Sequence, residues 1–203
     1  MSERELEVKA VVDDAAGLAR RFGACGAVVT FRGRMSDRRY DLPGATLTAR
    51  DEVLRVRTFT PAAGGAGRPA ELAWKGPTRV RDGYKEREER QLEVGDASAV
   101  ETILARLGFA VTDAVDRCVE FYALEGAVAR IEWYPRMDVL VEIEGAPAAI
   151  EAAVRTSGLA RERFSSDRLL AFAARFGART GMAPALSLAT AGGDRPTWPP
   201  WAP

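Results

Sequence analysis

Several short stretches of this chain alternate acidic or basic side chains with apolar ones, and these charged residues could do chemistry. Glu5, Glu7 and Lys9 alternate with Leu6, Val8 and Ala10. Arg55 and Arg57 alternate with Leu54 and Val56, and Ala73 and Lys75 with Leu72 and Trp74. Arg130 and Glu132 alternate with Ile131 and Trp133, and Glu142 and Glu144 with Val141 and Ile143. Successive side chains of a strand point to opposite faces, so each stretch has one apolar and one charged face. Carboxylates bind hard divalent ions, whereas Lys and Arg bind phosphate oxygens, Arg in a bidentate manner. If a closed sheet turns its apolar faces outward onto helices, the charged faces line the lumen and describe a site for a metal–polyphosphate complex. Periodicity alone fits equally a one-sided sheet whose polar face lies in water.

Composition narrows the chemistry further. The 203 residues contain no histidine, which removes Ser-His-Asp and Cys-His catalysis, imidazole-bound zinc and histidine-ligated haem. Catalysis is left to carboxylates, Lys, Arg, Tyr or an oxygen-held metal, and carboxylate-only sites suit Mg2+ or Mn2+. The charge is balanced, with 29 acidic and 29 basic residues, which argues against a general nucleic-acid or anionic-membrane surface. The sequence has neither a long apolar run nor an apolar leader core after MSERELEVK, so a cytoplasmic location is expected. Cys25 and Cys118 fit no CxxC pattern and are expected to be free thiols.

The elements that must position these residues are legible as alternating and helical patterns. Strands are expected over 3–12, 27–35, 53–60, 71–75, 85–94, 115–124, 127–133 and 139–144. Helices are expected over about 13–24, capped by Asp13 or Asp14, and over 97–107, between Asp96 and Gly108. A third runs from Pro147 to about Gly158, and a fourth starts near Ser165 or Ser166. PAAGGAGRP, residues 61–69, reads as a flexible hairpin connection. One domain is expected over 1–178, followed by a disordered tail over 179–203 in which Trp198 and Trp201 lie among prolines.

The order of motifs resembles the CYTH superfamily, the group of class IV adenylyl cyclases and thiamine triphosphatase. Glu5-Leu6-Glu7-Val8-Lys9 resembles its ExExK signature. Asp37-Arg38-Arg39-Tyr40-Asp41, Leu54-Arg55-Val56-Arg57 and Trp74-Lys75-Gly76-Pro77 are similar to the motifs that follow. Lys85-Glu86-Arg87-Glu88-Glu89 and Val141-Glu142-Ile143-Glu144-Gly145 complete the order over residues 3 to about 176. The resemblance implies an α+β fold, an eight-stranded antiparallel β-barrel forming a triphosphate tunnel, with helices packed outside.

It also implies roles. Glu5, Glu7, Glu132, Glu142 and Glu144 are expected to hold Mg2+ or Mn2+, and Lys9, Arg55, Arg57, Lys75, Arg87 and Arg117 to grip phosphate. Glu5, Glu7, Lys9 and Arg57 are the expected catalytic set, and Glu89 an orienting lumen carboxylate. The sequence departs from the family pattern in three places. Glu132 stands for an Asp, Val119 occupies the second cation position of a K-x-R strand, and Arg39 replaces a tyrosine. Arg130 is a candidate to compensate for the missing cation, and Trp133, Tyr134 and Phe121 are candidates to stack on an organic group. The expected reaction is metal-dependent hydrolysis of an inorganic or organic triphosphate. Adenylyl cyclisation of ATP and non-catalytic binding of polyphosphate or nucleotide are the alternatives. The expected partner is a small-molecule triphosphate, with no nucleic acid or membrane; a homodimer is left open.

Overall fold

A computed structural model describes residues 3–193 and 196–203. Its strands are β1 (Glu3–Val11), β2 (Val28–Asp41), β3 (Val53–Pro61), β4 (Ala70–Lys75), β5 (Arg79–Arg81), β6 (Tyr84–Val94), β7 (Ala110–Leu124), β8 (Ala127–Trp133) and β9 (Leu140–Gly145). Its helices are α1 (Ala15–Ala24), α2 (Ala97–Arg106), α3 (Pro147–Ser157) and α4 (Leu169–Thr180). The sheet runs β1-β9-β8-β7-β2-β3-β4-β6, and β1 pairs back onto β6 to close an eight-stranded antiparallel barrel. The three-residue β5 extends β6 as a hairpin outside the closed ring.

Closure follows from the side-chain pattern. Val8, Ala10, Ile131, Val141 and Ile143 point outward, where they bury against Leu18 and Phe22 of α1 and Ile150, Ala153 and Val154 of α3. Helix α2 covers Tyr40, Val56 and their neighbours through Leu104, and α4 covers Val115, Tyr134 and Leu140 through Phe172 and Phe176. The inward positions carry the charges, and register sets many opposite charges side by side, while Glu7 also faces Glu144 and Arg39 faces Arg55. Asp37 faces Arg57, Arg57 faces Glu71, and Lys75 faces Glu89. Glu5 faces Arg87, Glu7 faces Lys85, and Glu142 faces both Lys9 and Arg130. Directly opposed charges of opposite sign favour a strand pairing, and a slip of one residue would turn each charged row outward.

The helix caps are those that the sequence suggests. The Asp14 carboxylate accepts the Gly17 amide at 2.7 Å, and Asp96 accepts that of Ala99 at 3.0 Å. Pro147 opens α3 and Gly158, at φ 69°, ends it in the left-handed conformation that favours glycine. Helix α4 starts at Leu169 rather than at Ser165, because the Ser165 backbone is bonded to Lys9 of β1 in both directions. Strand β2 runs on to Asp41 and β7 begins at Ala110, both beyond the expected ends, since the two strands pair almost throughout. Strand β5 is too short to leave a periodic signal.

The expectation of a disordered tail from residue 179 needs correction. Ala185 forms a bridge with Arg136 and is fully buried, and Leu186 accepts the Asp116 amide at 2.8 Å. The Leu188 amide then donates to the Asp116 carboxylate at 3.0 Å. Farther on, the Trp201 ring meets Trp133 edge-on at 5.5 Å and lies under Arg32. The segment supplies apolar and backbone partners to the outside of β7 and β8, which composition alone does not reveal. Asp194 and Arg195, also within the expected tail, lie outside the described residues.

Candidate active site

The lumen holds two cavities of about 770 Å3 and about 430 Å3, and Arg55, Arg57, Lys75 and Arg130 line both. These four cations form a waist contributed by β3, β4 and β8. The smaller cavity adds Glu7, Lys9, Asp37, Lys85, Arg117, Glu132 and Glu142, and the larger adds Glu5, Glu71, Glu89 and Glu144.

Glu5, Glu7 and Glu142 come together, each offering a carboxylate oxygen within 4.8 Å of the others, and all three are buried. Lys9 Nζ contacts Glu7 and lies 2.5 Å from Glu142, Arg130 also contacts Glu142, and Lys85 Nζ lies 2.5 Å from Glu7. Lys75 bridges Glu5 at 2.5 Å and Glu89 at 3.1 Å. Burial alone would raise the carboxyl pKa of Glu7, but Lys9 and Lys85 outweigh it and hold the group well below its usual range. Glu5 is lowered in the same way, against burial, chiefly by Lys75. Glu144 behaves differently: burial and the Glu5 charge push its pKa up, and Arg130 and Lys75 only partly offset them. The Lys85 ammonium is pushed down to about 8 by burial and by Lys9. Three clustered carboxylates with no nitrogen or sulfur donor fit a hard divalent ion such as Mg2+ or Mn2+.

A second set of pairs surrounds Asp37. Arg57 binds it through two hydrogen bonds of 2.7 and 3.1 Å, and Arg117 adds a third at 3.1 Å. Asp37 is consequently held well below the usual carboxylate range, although burial opposes this. Burial and neighbouring Arg57 lower Arg55 to about 10, because its carboxylates lie farther off, at 3.6 Å for Glu89 and 3.9 Å for Asp37.

Some expected site residues are placed differently. Glu132 is not in the carboxylate cluster; it accepts Arg117 Nε at 3.0 Å and the Tyr134 hydroxyl at 2.6 Å, so its oxygens are already committed. Arg87 lines the smaller cavity and donates to the carbonyls of Gly76 and Asp51, both at 2.6 Å, so it also ties the turn after β4 to the segment before β3. Arg117 lines the smaller cavity but is spanned by Asp37 and Glu132. Val119, at the expected cation position, packs with Phe31, Met35 and Phe121. Of the three aromatic residues offered for stacking, Phe121 lines the larger cavity, Trp133 faces outward onto Trp201, and Tyr134 holds Glu132. Sequence reasoning passed over Lys85, Asp37 and Glu71 as site residues. The Lys85-Arg87-Glu89 alternation carries the signal for Lys85.

No helix among the described residues is long and apolar enough to cross a membrane. No family model and no curated protein matches this chain. Solved structures do. An adenylate cyclase candidate from Vibrio parahaemolyticus aligns with a TM-score of 0.71 at 16% identity, covering 85% of this chain and 98% of that one. The PH1819 protein from Pyrococcus horikoshii aligns at 0.66 and 23% identity, over 82% and 96%. HpAC1 from Hippeastrum, an adenylyl cyclase candidate whose dominant activity is that of a triphosphatase, aligns at 0.61 and 14%, over 89% and 96%. At these identities the likeness is one of fold, and the fold is the closed eight-stranded tunnel barrel that the CYTH resemblance implies.

Proposed function

We propose that this chain is a divalent-metal-dependent triphosphatase that cleaves the terminal phosphate of a triphosphate held in the barrel lumen. The observation that carries this reading is the adjacency of the Glu5–Glu7–Glu142 cluster to the cationic waist of Arg55, Arg57, Lys75 and Arg130. A solved structure of similar fold, HpAC1, is described by its triphosphatase activity, which adds support.

Glu5, Glu7 and Glu142 would hold the ion, and when bound it would neutralise phosphate charge and polarise a phosphorus–oxygen bond. The four waist cations grip phosphate oxygens, and Arg57 and Lys9 stabilise the charge that builds as the bond breaks. In such a site catalysis is chiefly positioning and electrostatics, so pre-formed, buried cations matter more than any single proton donor. Glu144, with its raised pKa, faces the larger cavity beside Glu5 and is available to orient a water. The partner is accordingly a small-molecule triphosphate.

The reading is tested by incubating the protein with Mg2+ or Mn2+ and, separately, tripolyphosphate, thiamine triphosphate and ATP, then resolving the products. Orthophosphate and a diphosphate are expected, and chelator should abolish both. Cyclic AMP with pyrophosphate from ATP would replace hydrolysis by cyclisation. Tight triphosphate binding without product would leave a binding module.

A further inference from the structure

Beside the waist, on the wall of the smaller cavity, two arginines face one another. Arg39 of β2 and Arg55 of β3 are directly opposed in the register, and both line the cavity. Directly opposed like charges disfavour a strand pairing unless something neutralises them. The nearby carboxylates do so incompletely. Arg55 is buried, yet its carboxylate neighbours stand off at 3.6 Å on Glu89 and 3.9 Å on Asp37, and its Nε–H has no acceptor among the described residues. Arg39 pairs with Asp113 at 3.1 Å through a terminal nitrogen, and its own buried Nε–H also lacks an acceptor among the described residues. A third guanidinium, that of Arg87, lines the same cavity. Burial holds its pKa down, and the charges of Arg168 and Arg39 add to this against the pull of Asp51. Asp51 is itself engaged by the Thr78 amide and by Arg168, both at 2.7 Å. Cationic charge is left in excess at this end of the lumen.

Arg39 stands where the motif it resembles carries a tyrosine, which offers one hydroxyl and no charge. The cation missing at Val119, on the Phe121 side of the barrel, is thus matched by one gained at the opposite end. We infer that Arg39 and Arg55 form an additional oxyanion subsite in the smaller cavity, which takes one phosphate group beyond the three of a triphosphate. Each guanidinium fork presents parallel N–H donors to two oxygens of a tetrahedral anion, and that anion also relieves the repulsion between the two arginines. The Arg39 side chain is 36% exposed, so the subsite opens to solvent. Its occupant is free orthophosphate or the end of a linear polyphosphate longer than three units, and the chemistry of recognition is the same. This rests on reading the waist as the grip for a triphosphate.

The test is metal-free calorimetry of orthophosphate, tripolyphosphate and linear tetraphosphate with the wild type, Arg39→Gln and Arg34→Gln. Arg34 lies on the outer face of the same strand, so its variant controls for a general loss of positive charge. Arg39→Gln should weaken orthophosphate about tenfold, the scale of one lost charge-assisted hydrogen bond, and leave tripolyphosphate nearly unchanged. Arg34→Gln should alter neither. Tetraphosphate that binds the wild type more tightly than tripolyphosphate, with the difference lost in Arg39→Gln, identifies a polyphosphate end as the occupant. Equal affinities for the two chains beside Arg39-dependent orthophosphate binding identify the free ion. Arg39→Gln affinities unchanged for both orthophosphate and tetraphosphate, or weakened as much for tripolyphosphate as for tetraphosphate, would overturn the subsite. Phosphate release from tripolyphosphate with Mg2+ is scored separately. The subsite can therefore fail while the hydrolase reading stands, and Arg39-dependent binding without turnover keeps the subsite while the hydrolase reading fails.

Discussion

Lys9 Nζ lies 2.5 Å from a Glu142 oxygen and also contacts Glu7, so an ammonium occupies the gap between two of the three clustered carboxylates. A divalent ion placed on those oxygens must compete with Lys9, and Lys9 must find another anion. A triphosphate supplies that anion. Metal and substrate should therefore bind cooperatively: calorimetry should show weak Mg2+ binding to the protein alone and markedly tighter binding with tripolyphosphate present. Equal Mg2+ affinity in both conditions would mean that Lys9 does not exchange partners.

Glu5 and Glu142 differ in what they leave behind when neutralised. Lys75 retains Glu89 at 3.1 Å when Glu5 is lost, whereas Arg130 and Lys9 lose their shared partner when Glu142 is lost. Glu5→Gln should abolish turnover with little change in melting temperature. Glu142→Gln should abolish turnover and destabilise more than Glu5→Gln does, because two buried cations lose a partner at once and are left with Glu7 for Lys9 and Glu132, at 3.5 Å, for Arg130. Thermal unfolding of the two variants side by side checks the order.

Arg57 joins Asp37 and Glu71, both buried, on neighbouring strands. Arg57→Ala should weaken triphosphate binding by about 2–4 kcal/mol and destabilise the barrel as well, because the carboxylates lose a partner. Arg57→Lys, which keeps the charge but not the two-pronged geometry, should recover more stability than substrate affinity. Denaturant midpoints and substrate Kd values separate the two effects.

Three helices and the charged faces were legible because their signals are local. Asp14, Asp96 and Pro147 mark helix starts by capping chemistry, and Glu5, Glu7 and Lys9 declare a shared face by spacing alone. Partner choice is not local. Nothing in the Glu132 neighbourhood says that Tyr134 and Arg117 will claim its oxygens, nor in that of Arg87 that two carbonyls will. The same holds for Ser165, which looks like a helix cap and instead pairs with β1. Val119 was visible as a missing cation, but its apolar neighbours come from β2 and β3 as well as from its own strand β7, brought together by the barrel.

The segment after α4 should contribute to stability. Trp201→Ala removes the edge-on contact with Trp133 and should cost about 1 kcal/mol. Deleting residues 183–203 also removes Ala185, Leu186 and the Asp116 partners, so it should lower the melting temperature more than Trp201→Ala does. A deletion variant as stable as the full chain would show that these contacts contribute nothing.

Acid should weaken the fold through Asp41 and Asp37. Burial would raise Asp41, but the amides of Leu47, Thr48 and Leu42 and the Thr48 hydroxyl lower it to about 2. A depressed folded pKa gives stability that is fully present above the unfolded value of about 3.9 and is lost as pH falls through the folded one. The stability gap between wild type and Asp41→Asn should be constant near neutrality and shrink below about pH 4. A gap that stays constant in acid would remove Asp41 from the titration.

On the proposed function, the buried carboxylates hold a metal against a triphosphate gripped at the waist. The most direct test is phosphate release from tripolyphosphate and ATP by the wild type and Glu5→Gln across a Mg2+ titration. Release that rises with Mg2+ in the wild type and is absent from a folded Glu5→Gln protein is the expected result. Turnover that ignores Mg2+, or survives in Glu5→Gln at the wild-type rate, would contradict it.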